Sequence, residues 1–559
     1  MSRVSFDLLI KNGKLVSGAG NPWFRADIGV KNGRITKIGR LRAFDAAHVI
    51  DVEGLLISPG FIDAHSHTDL VLPFNPGVES SIRQGVTTLI TGNCGISLAP
   101  VAPATQDLLV KSVSPFIPKG AKLELSWSTF DEYLRYEEEL GLAANIGHLV
   151  GHGTVRTAVM GFENRAPSGD ELKAMTRLVA EALEAGALGL STGLIYPPGL
   201  YAETEELIEL AKVVARYGGI YASHIRGEGK TLIAAVKEAI AVGEAGGLPV
   251  EISHHKASGK PYWGQTADSL ALIETARRRG IDVTCDQYPY LAGMTSLATL
   301  LPPWSHEGGL EKLLERLRSP EDRRRIRRDM ETGLPGWENI LATNGWENVR
   351  VSSVRTDENR GVEGKTLAEI AQIRMKPDEY TALFDLLLEE DGEATMVLFS
   401  MSEDDVRRVM THPAQMVGSD SWSVAPYGIM SGGKPHPRFY GTYPRILGTY
   451  VREERVLTLE DAIRRMTSFP ARRFGLTHRG LIMPGMWADL TIFDEETIRD
   501  RASYDDPHTY PEGIEYVFVN GRMVIERGKN TGIRAGKVLY RTSTRKSDTG
   551  NHALYRRQS

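Results

Sequence analysis

Cysteine is nearly missing from this 559-residue sequence, which contains only Cys94 and Cys285. A disulfide framework is therefore excluded, and a reducing compartment fits best. No stretch of about 18 apolar residues occurs that would span a membrane as a helix. The opening residues MSRVSFDLLIKNGK also lack a continuous apolar run followed by small residues. No secretory signal is read there, and the expected location is cytoplasmic. An excess of positive charge is missing too: 66 Lys and Arg against 71 Asp and Glu leave a net charge of -5. Without a basic field there is no reason to expect nucleic acid or an anionic membrane as partner, and a small-molecule or peptide substrate is the default. No glycine-rich phosphate loop follows an early strand, which weighs against a doubly wound nucleotide-binding sheet. Nothing in the composition specifies an oligomeric state.

With 41% hydrophobic residues the chain can bury a large core. Length alone suggests three or four domains of about 150 residues, although an α/β barrel can absorb 250 or more as one unit. Both chain ends read as β-structure. Leu8-Leu9-Ile10 and Leu15-Val16 flank Asn12-Gly13, and Ile28 and Val30 lead through Asn32-Gly33 to Ile35 and Ile38. Val517-Phe518-Val519 and Met523-Val524-Ile525 flank Asn520-Gly521, with a further strand at Ala488 to Phe493. Asn-Gly between apolar residues predicts tight hairpins, because both turn positions need positive φ. Residues 1–57 and 480–540 are expected to join as one discontinuous small domain, followed by a polar tail over 541–559.

Residues 58–479 show a different rhythm. Ser168 and Glu171 form a capping-box pattern, and Leu172, Met175, Val179, Ala182 and Leu183 follow at helical spacing until Gly186. Strand candidates recur at Leu188 to Leu190, Ile220 to Ala222, Val250 to Ile252 and Val283-Thr284, about one βα unit of 30 residues apart. Alternation sustained over this length predicts an α/β fold of the TIM-type (β/α)8 class. The rhythm breaks between about 301 and 395, where an inserted lid or interface is expected. That stretch holds a charged run, Ser319 to Met330, read as a solvated helix face. It also holds a doubled Gly-Trp-Glu-Asn at 336–339 and 345–348, for which the sequence offers no account.

The chemistry is carried by residues at predicted strand ends. Asp63-Ala64-His65-Ser66-His67 follows an apolar run, and residues two apart on a strand share a face, so His65 and His67 can converge on one ion. Other predicted strands end at Cys94, His224, His254 and Asp420. Each has a purely structural alternative: a small core cysteine, a satisfied core histidine, a helix N-cap aspartate. Their common register on the rim of a barrel argues for one metal centre. Thiolate and imidazole together favour zinc over magnesium or calcium. Asp420 is the candidate general acid/base. His255, next to His254, should face away; His152 is read as structural and Cys285 as core.

The chain resembles the N-acyl-D-amino-acid deacylases (D-aminoacylases) of the amidohydrolase superfamily almost end to end. The motifs are Pro59-Gly60-Phe61-Ile62-Asp63-Ala64-His65-Ser66-His67, Gly92-Asn93-Cys94-Gly95, Gly151-His152-Gly153-Thr154-Val155-Arg156, Ile252-Ser253-His254-His255-Lys256, Gly418-Ser419-Asp420 and His436-Pro437-Arg438. The resemblance implies a TIM barrel with a small β-sandwich made from both chain ends. It implies one tightly held zinc at Cys94, His224 and His254, and a second, weakly filled position at His65, His67, Cys94 and Asp420. It assigns Arg438 to the substrate carboxylate and Tyr196, Tyr288 and Lys256 to the pocket. The implied reaction is hydrolysis of N-acyl-D-amino acids, with a preference for the D form that only the resemblance supplies. Other amides, D-peptides, esters and carbamates remain open on the residues alone. Cyclic-amide hydrolases usually carry a carboxylated lysine on the strand corresponding to Ala187 to Thr192, and this strand has none. The segment 421–437, with Ser421-Trp422 and Met430-Ser431-Gly432-Gly433, departs from the shorter histidine- and proline-rich link of the family, so the pocket mouth is expected to differ.

Overall fold

The computed structural model describes residues 5–541, except for the side chain of Phe44. Of the tail expected over 541–559, all but Arg541 lies outside the described residues. Eight parallel strands pair in chain order: β1 (Phe61–Asp63), β2 (Val86–Thr91), β3 (Asn145–Gly151), β4 (Gly189–Gly193), β5 (Ile220–His224), β6 (Val250–Ile252), β7 (Val283–Gln287) and β8 (Gln415–Val417). Backbone bonds close the ring from β8 to β1. The Ala64 amide donates to the Val417 carbonyl at 3.2 Å, and the Asp420 amide to the His65 carbonyl at 2.8 Å.

The two faces of each strand follow the period-2 rule. Ile62, Ile90, Leu149, Ile220, Ala222 and Met416 meet inside the barrel, where Phe469, Ala471 and Phe474 plug the lower end. Their neighbours Leu89, Val150, Tyr221 and Val417 belong instead to the large core between strands and helices. Each fully buried aliphatic side chain of this kind contributes about 1.5–3 kcal/mol. The helix Gly169–Ala185 starts at the Ser168–Glu171 capping box and stops at Gly186, burying Met175, Val179, Ala182 and Leu183. No helix among the described residues is long and apolar enough to cross a membrane.

Both chain ends join in one nine-stranded sheet around a shared aliphatic cluster that includes Ile10, Ile28, Ile35, Ile57, Leu490 and Phe518. Leu56–Pro59 bridges the halves, parallel to Phe6–Leu15 and antiparallel to Leu490–Phe493. The turns at Asn32-Gly33 and Asn520-Gly521 form as expected, with φ of 51° and 74° at the first and 51° and 77° at the second. They also meet: a Cβ on Gly521 would lie 2.6 Å from the Gly33 Cα, so the two tips pack backbone to backbone. The third Asn-Gly is different. Phe6–Leu15 is a single strand, and its register slips between Ile10 and Gly13. Asn12, at φ 64°, forms a bulge held by its amide donating to Asp27 Oδ1 at 3.0 Å, so positive φ here serves a bend within a strand, not a hairpin.

Between β7 and β8 a subdomain is inserted. Its three-stranded antiparallel sheet, Ala292–Ser296, Thr395–Phe399 and Val349–Ser353, carries helices over its own core. The sheet begins nine residues before the expected edge at 301, because its first strand follows β7 closely. The charged run forms the helix Pro320–Thr332, which buries Ile326, Asp329 and Met330 and is capped by the Ser319 hydroxyl.

Candidate metal centre

The loops after the barrel strands place the chemistry. His224 ends β5, while Cys94, His254 and Asp420 lie two or three residues beyond β2, β6 and β8. These last three adopt left-handed backbone, with φ of 52°, 35° and 51°. Such conformations cost about 1–3 kcal/mol each in a non-glycine residue and persist where the surroundings over-determine them. Here the His254 amide is held by Asp286 Oδ1 at 2.9 Å and the Asp420 amide by the His65 carbonyl. Beside Cys94 the chain passes so close to β4 that a Cβ on Gly193 would lie 2.0 Å from the Cys94 carbonyl oxygen. Strand β1 stops at Asp63, short of His65 and His67. A parallel bridge between Ser66 and Ser421 continues the alternation, so the two imidazoles still converge.

All six residues expected to bind metal come together. Donor atoms of His65, His67, Cys94 and Asp420 lie within 4.8 Å of one another, and so do those of Cys94, His224 and His254. Cys94 belongs to both groups: its Sγ lies 3.4 Å from His65 Nε2, 3.7 Å from His224 Nδ1 and 3.5 Å from His254 Nε2. Asp420 spans a different pair, with Oδ1 at 3.2 Å from His67 Nε2 and Oδ2 at 2.9 Å from Arg438 Nη1. One thiolate, imidazole nitrogens and one carboxylate oxygen in so small a volume match the donor chemistry of zinc.

Electrostatics agrees with an ionised centre. Burial alone pushes the Cys94 thiol up, but His65, His254 and His67 around it hold it well below the ordinary thiol range. Burial likewise opposes ionisation of Asp420, and the Arg438 guanidinium with His254 and His67 holds its carboxyl well below the usual range. In both groups the surroundings favour the anion, the form that binds a cation.

The residues expected to contact substrate line one cavity, about 950 Å³ including its opening, together with His67, Cys94, His224, His254 and Asp420. Arg438 begins the helix Arg438–Arg445, is 1% exposed, lies over the Tyr288 ring at 4.6 Å, and has a buried Nε without a hydrogen-bond partner. Tyr196 stands edge-on to His224 at 4.9 Å and takes a hydrogen bond from Thr295 Oγ1. Lys256 Nζ lies 2.6 Å from Glu228 Oε1, which is itself 3.0 Å from His254 Nδ1. His255 turns away to Ser269, His152 pairs with Glu206 at 2.8 Å, and Cys285 is buried in β7. The segment after Asp420 forms part of the cavity wall: Trp422 packs against Phe439 at 4.5 Å and Phe116 at 5.5 Å.

Three contributors escaped the sequence reading. Glu228 sits four residues past His224 in a loop without a motif. Glu338, from the first Gly-Trp-Glu-Asn, accepts a hydrogen bond from Thr231, lines the cavity and is pushed up to about 7 by burial. In the second copy, Trp346 stands edge-on to Tyr380 at the inserted core, against which Trp337 of the first copy also packs. The third is Asp286, at the end of β7, the same signal that singled out Asp420. Its Oδ2 lies 3.3 Å from His65 Nδ1 while Oδ1 holds the His254 amide. A carboxylate behind a ligating imidazole selects the tautomer that leaves the other nitrogen for the metal. Asp286→Asn should keep the Oδ1 contact and weaken binding at the His65, His67, Cys94 and Asp420 position about 10- to 100-fold, leaving the Cys94, His224 and His254 position filled. Titration against a competing chelator measures it, and unchanged affinity would reduce Asp286 to a purely structural role.

The sequence profile of the Amidohydrolase family matches residues 48–525. The chain is 38% identical over 542 residues to D-aminoacylase of Alcaligenes xylosoxydans xylosoxydans, covering 96% of this chain and 98% of that protein. It is 37% identical over 538 residues to N-acyl-D-glutamate deacylase of the same organism, covering 96% and 97%. Among solved structures it resembles N-acyl-D-glutamate deacylase from Bordetella bronchiseptica, complexed with zinc and a phosphonate inhibitor that mimics the reaction's tetrahedral intermediate. That likeness has a TM-score of 0.80 at 36% identity, with 96% of this chain and all of that one covered.

Proposed function

The chain belongs to the amidohydrolase family, and from that premise we propose that it is a zinc-dependent hydrolase of N-acyl-D-amino acids, releasing a carboxylic acid and a free D-amino acid. The observation that carries this reading is the placement of Asp420 between the metal donors and Arg438. In an N-acyl amino acid the amide nitrogen and the carboxylate share one carbon. A carboxylate-binding fork next to the acid/base residue is the spacing such a substrate requires.

Cys94, His224 and His254 would hold the tightly bound zinc, and His65, His67, Cys94 and Asp420 a second, weaker position. A zinc held by Cys94, His224 and His254 would lower the pKa of a bound water and polarise the amide carbonyl. Asp420 takes the proton of the attacking water and delivers it to the leaving amine nitrogen. Arg438 grips the substrate carboxylate with the guanidinium edge that Asp420 does not occupy, and Tyr288 flanks it. Lys256 and Tyr196 close the sides of the cavity. Cys94 takes the place between the two donor groups, and β4, Gly-Leu-Ser-Thr-Gly, offers no lysine for a carboxylated bridge. The free, buried cysteines support a cytoplasmic setting for this small-molecule enzyme.

Paired N-acetyl-D- and N-acetyl-L-amino acids test the reading, with the D form expected to be the faster substrate. A preference for the L form overturns the stereochemistry, and silence with zinc bound moves the search to larger amides, esters and carbamates. Arg438→Lys keeps the charge and loses the planar fork. It should lower kcat/KM about 10- to 100-fold, mostly through KM, a loss of one charge-assisted bidentate contact. Steady-state kinetics on the same substrate reads it.

A further inference from the structure

A second cavity, about 1140 Å³ including its opening, adjoins the first. Cys94, Ile96, Phe116, Ile195, Tyr196 and Thr295 line both, so the partition between them is one layer of side chains at the metal donors. Beyond it the walls are mainly apolar: Leu108 and Leu109 from one loop helix, Leu200 from the loop after β4, and Ala298, Leu310 and Leu313 from the inserted subdomain, with Thr154, Thr157 and Thr299 adding hydroxyls. The charged side chain in this wall, Lys111, is paired with Glu311. His306, also in the wall, is pushed down to about 4 by burial and is therefore neutral at neutral pH.

Position relative to the first cavity decides what this chamber receives. Arg438, Asp420, Tyr288 and Lys256 line only the first cavity, whereas Cys94 and Tyr196 line both. A substrate with its carboxylate on Arg438 and its amide at the donors has its amino-acid part on the Arg438 side. Whatever lies past the carbonyl carbon points towards Cys94 and Tyr196. On the deacylase reading, we propose that this chamber is an acyl-chain site and that the preferred substrates are D-amino acids N-acylated with medium-chain fatty acids. The apolar wall contributes binding for each methylene it covers, and hydrolysis releases the fatty acid and the D-amino acid.

The test is kcat/KM on one D-amino acid carrying acetyl, butanoyl, hexanoyl, octanoyl and decanoyl groups, using the zinc-loaded full chain. Each buried methylene should raise kcat/KM about threefold until the chamber is filled, about eightyfold from acetyl to hexanoyl. Thr299→Trp and, independently, Leu200→Trp narrow the chamber away from the donors, both positions being half-buried in its wall. Each should leave the acetyl substrate within about twofold and cut the decanoyl substrate by about twentyfold or more, the loss of roughly three covered methylenes. Hydrolysis of the acetyl compound with kcat/KM that stays flat or falls as the acyl chain lengthens overturns the inference and leaves the deacylase reading standing. So does a variant effect that follows the size of the amino-acid side chain at fixed acetyl group. No hydrolysis at any chain length overturns both.

Discussion

Asp420→Asn should reduce kcat on an N-acyl-D-amino acid by about a thousandfold, within the range by which a positioned general acid/base accelerates proton transfer. Asparagine keeps the shape and the oxygen that faces His67, but it can neither accept the water proton nor carry it to the amine. The variant should retain its tightly bound zinc, because Asp420 is not in the group formed by Cys94, His224 and His254. It also leaves Arg438, 1% exposed, without its carboxylate partner. Removing one member of a buried ion pair costs about 3–5 kcal/mol, so a lower melting temperature should accompany the loss. Rates are therefore compared well below the melting transition, with zinc measured on the same sample. A kcat within tenfold of the parent, with zinc bound, would remove Asp420 from the acid/base role.

The second large effect falls on the metal itself. Cys94→Ala should abolish stoichiometric zinc after dialysis and bring activity below detection, because both donor groups lose their common sulfur at once. The expected loss of affinity is about two to three orders of magnitude, one thiolate's share of a binding energy of roughly 10–16 kcal/mol spread over several ligands. The buried anion also favours the charged form of imidazoles that crowd each other: His224 and His254 have ring centroids 4.4 Å apart, and His65 and His254 4.9 Å apart. Without it, the histidines should titrate at lower pH, which NMR of the imidazole protons detects. Elemental analysis separates the two variants. Asp420→Asn keeps zinc and loses turnover, whereas Cys94→Ala loses zinc. Full zinc in the cysteine variant would show that the histidines suffice and that Cys94 is a core residue.

Much of the frame was legible from local pattern. A strand presents side chains with period 2 and a helix with period 3.6, so the alternation of β4 to β7 with helices could be read without knowing the contacts. Asn-Gly marks positive φ reliably but says nothing of what the bend is for. At 32–33 and 520–521 it turned a hairpin, and at 12–13 it made a bulge, because the partner strand Phe24–Lys31 continues past it. Strand-end position found Cys94, His224, His254 and Asp420, and the same rule applied to β7 would have found Asp286. Glu228 and Glu338 carried no such mark, since loops and insertions have no periodicity to read.

The sequence by itself determined the fold class and the residue types that stand at the strand ends, because these depend on periodicity and on side-chain type. Only the tertiary structure decided that Asp286 backs His65. It alone showed that Asp420 divides its oxygens between His67 and Arg438, and that the inserted subdomain walls an apolar chamber beside them. Those facts depend on distances of a few ångströms between segments more than a hundred residues apart. Such distances are set by how the whole barrel closes and packs, which no local stretch of chain encodes.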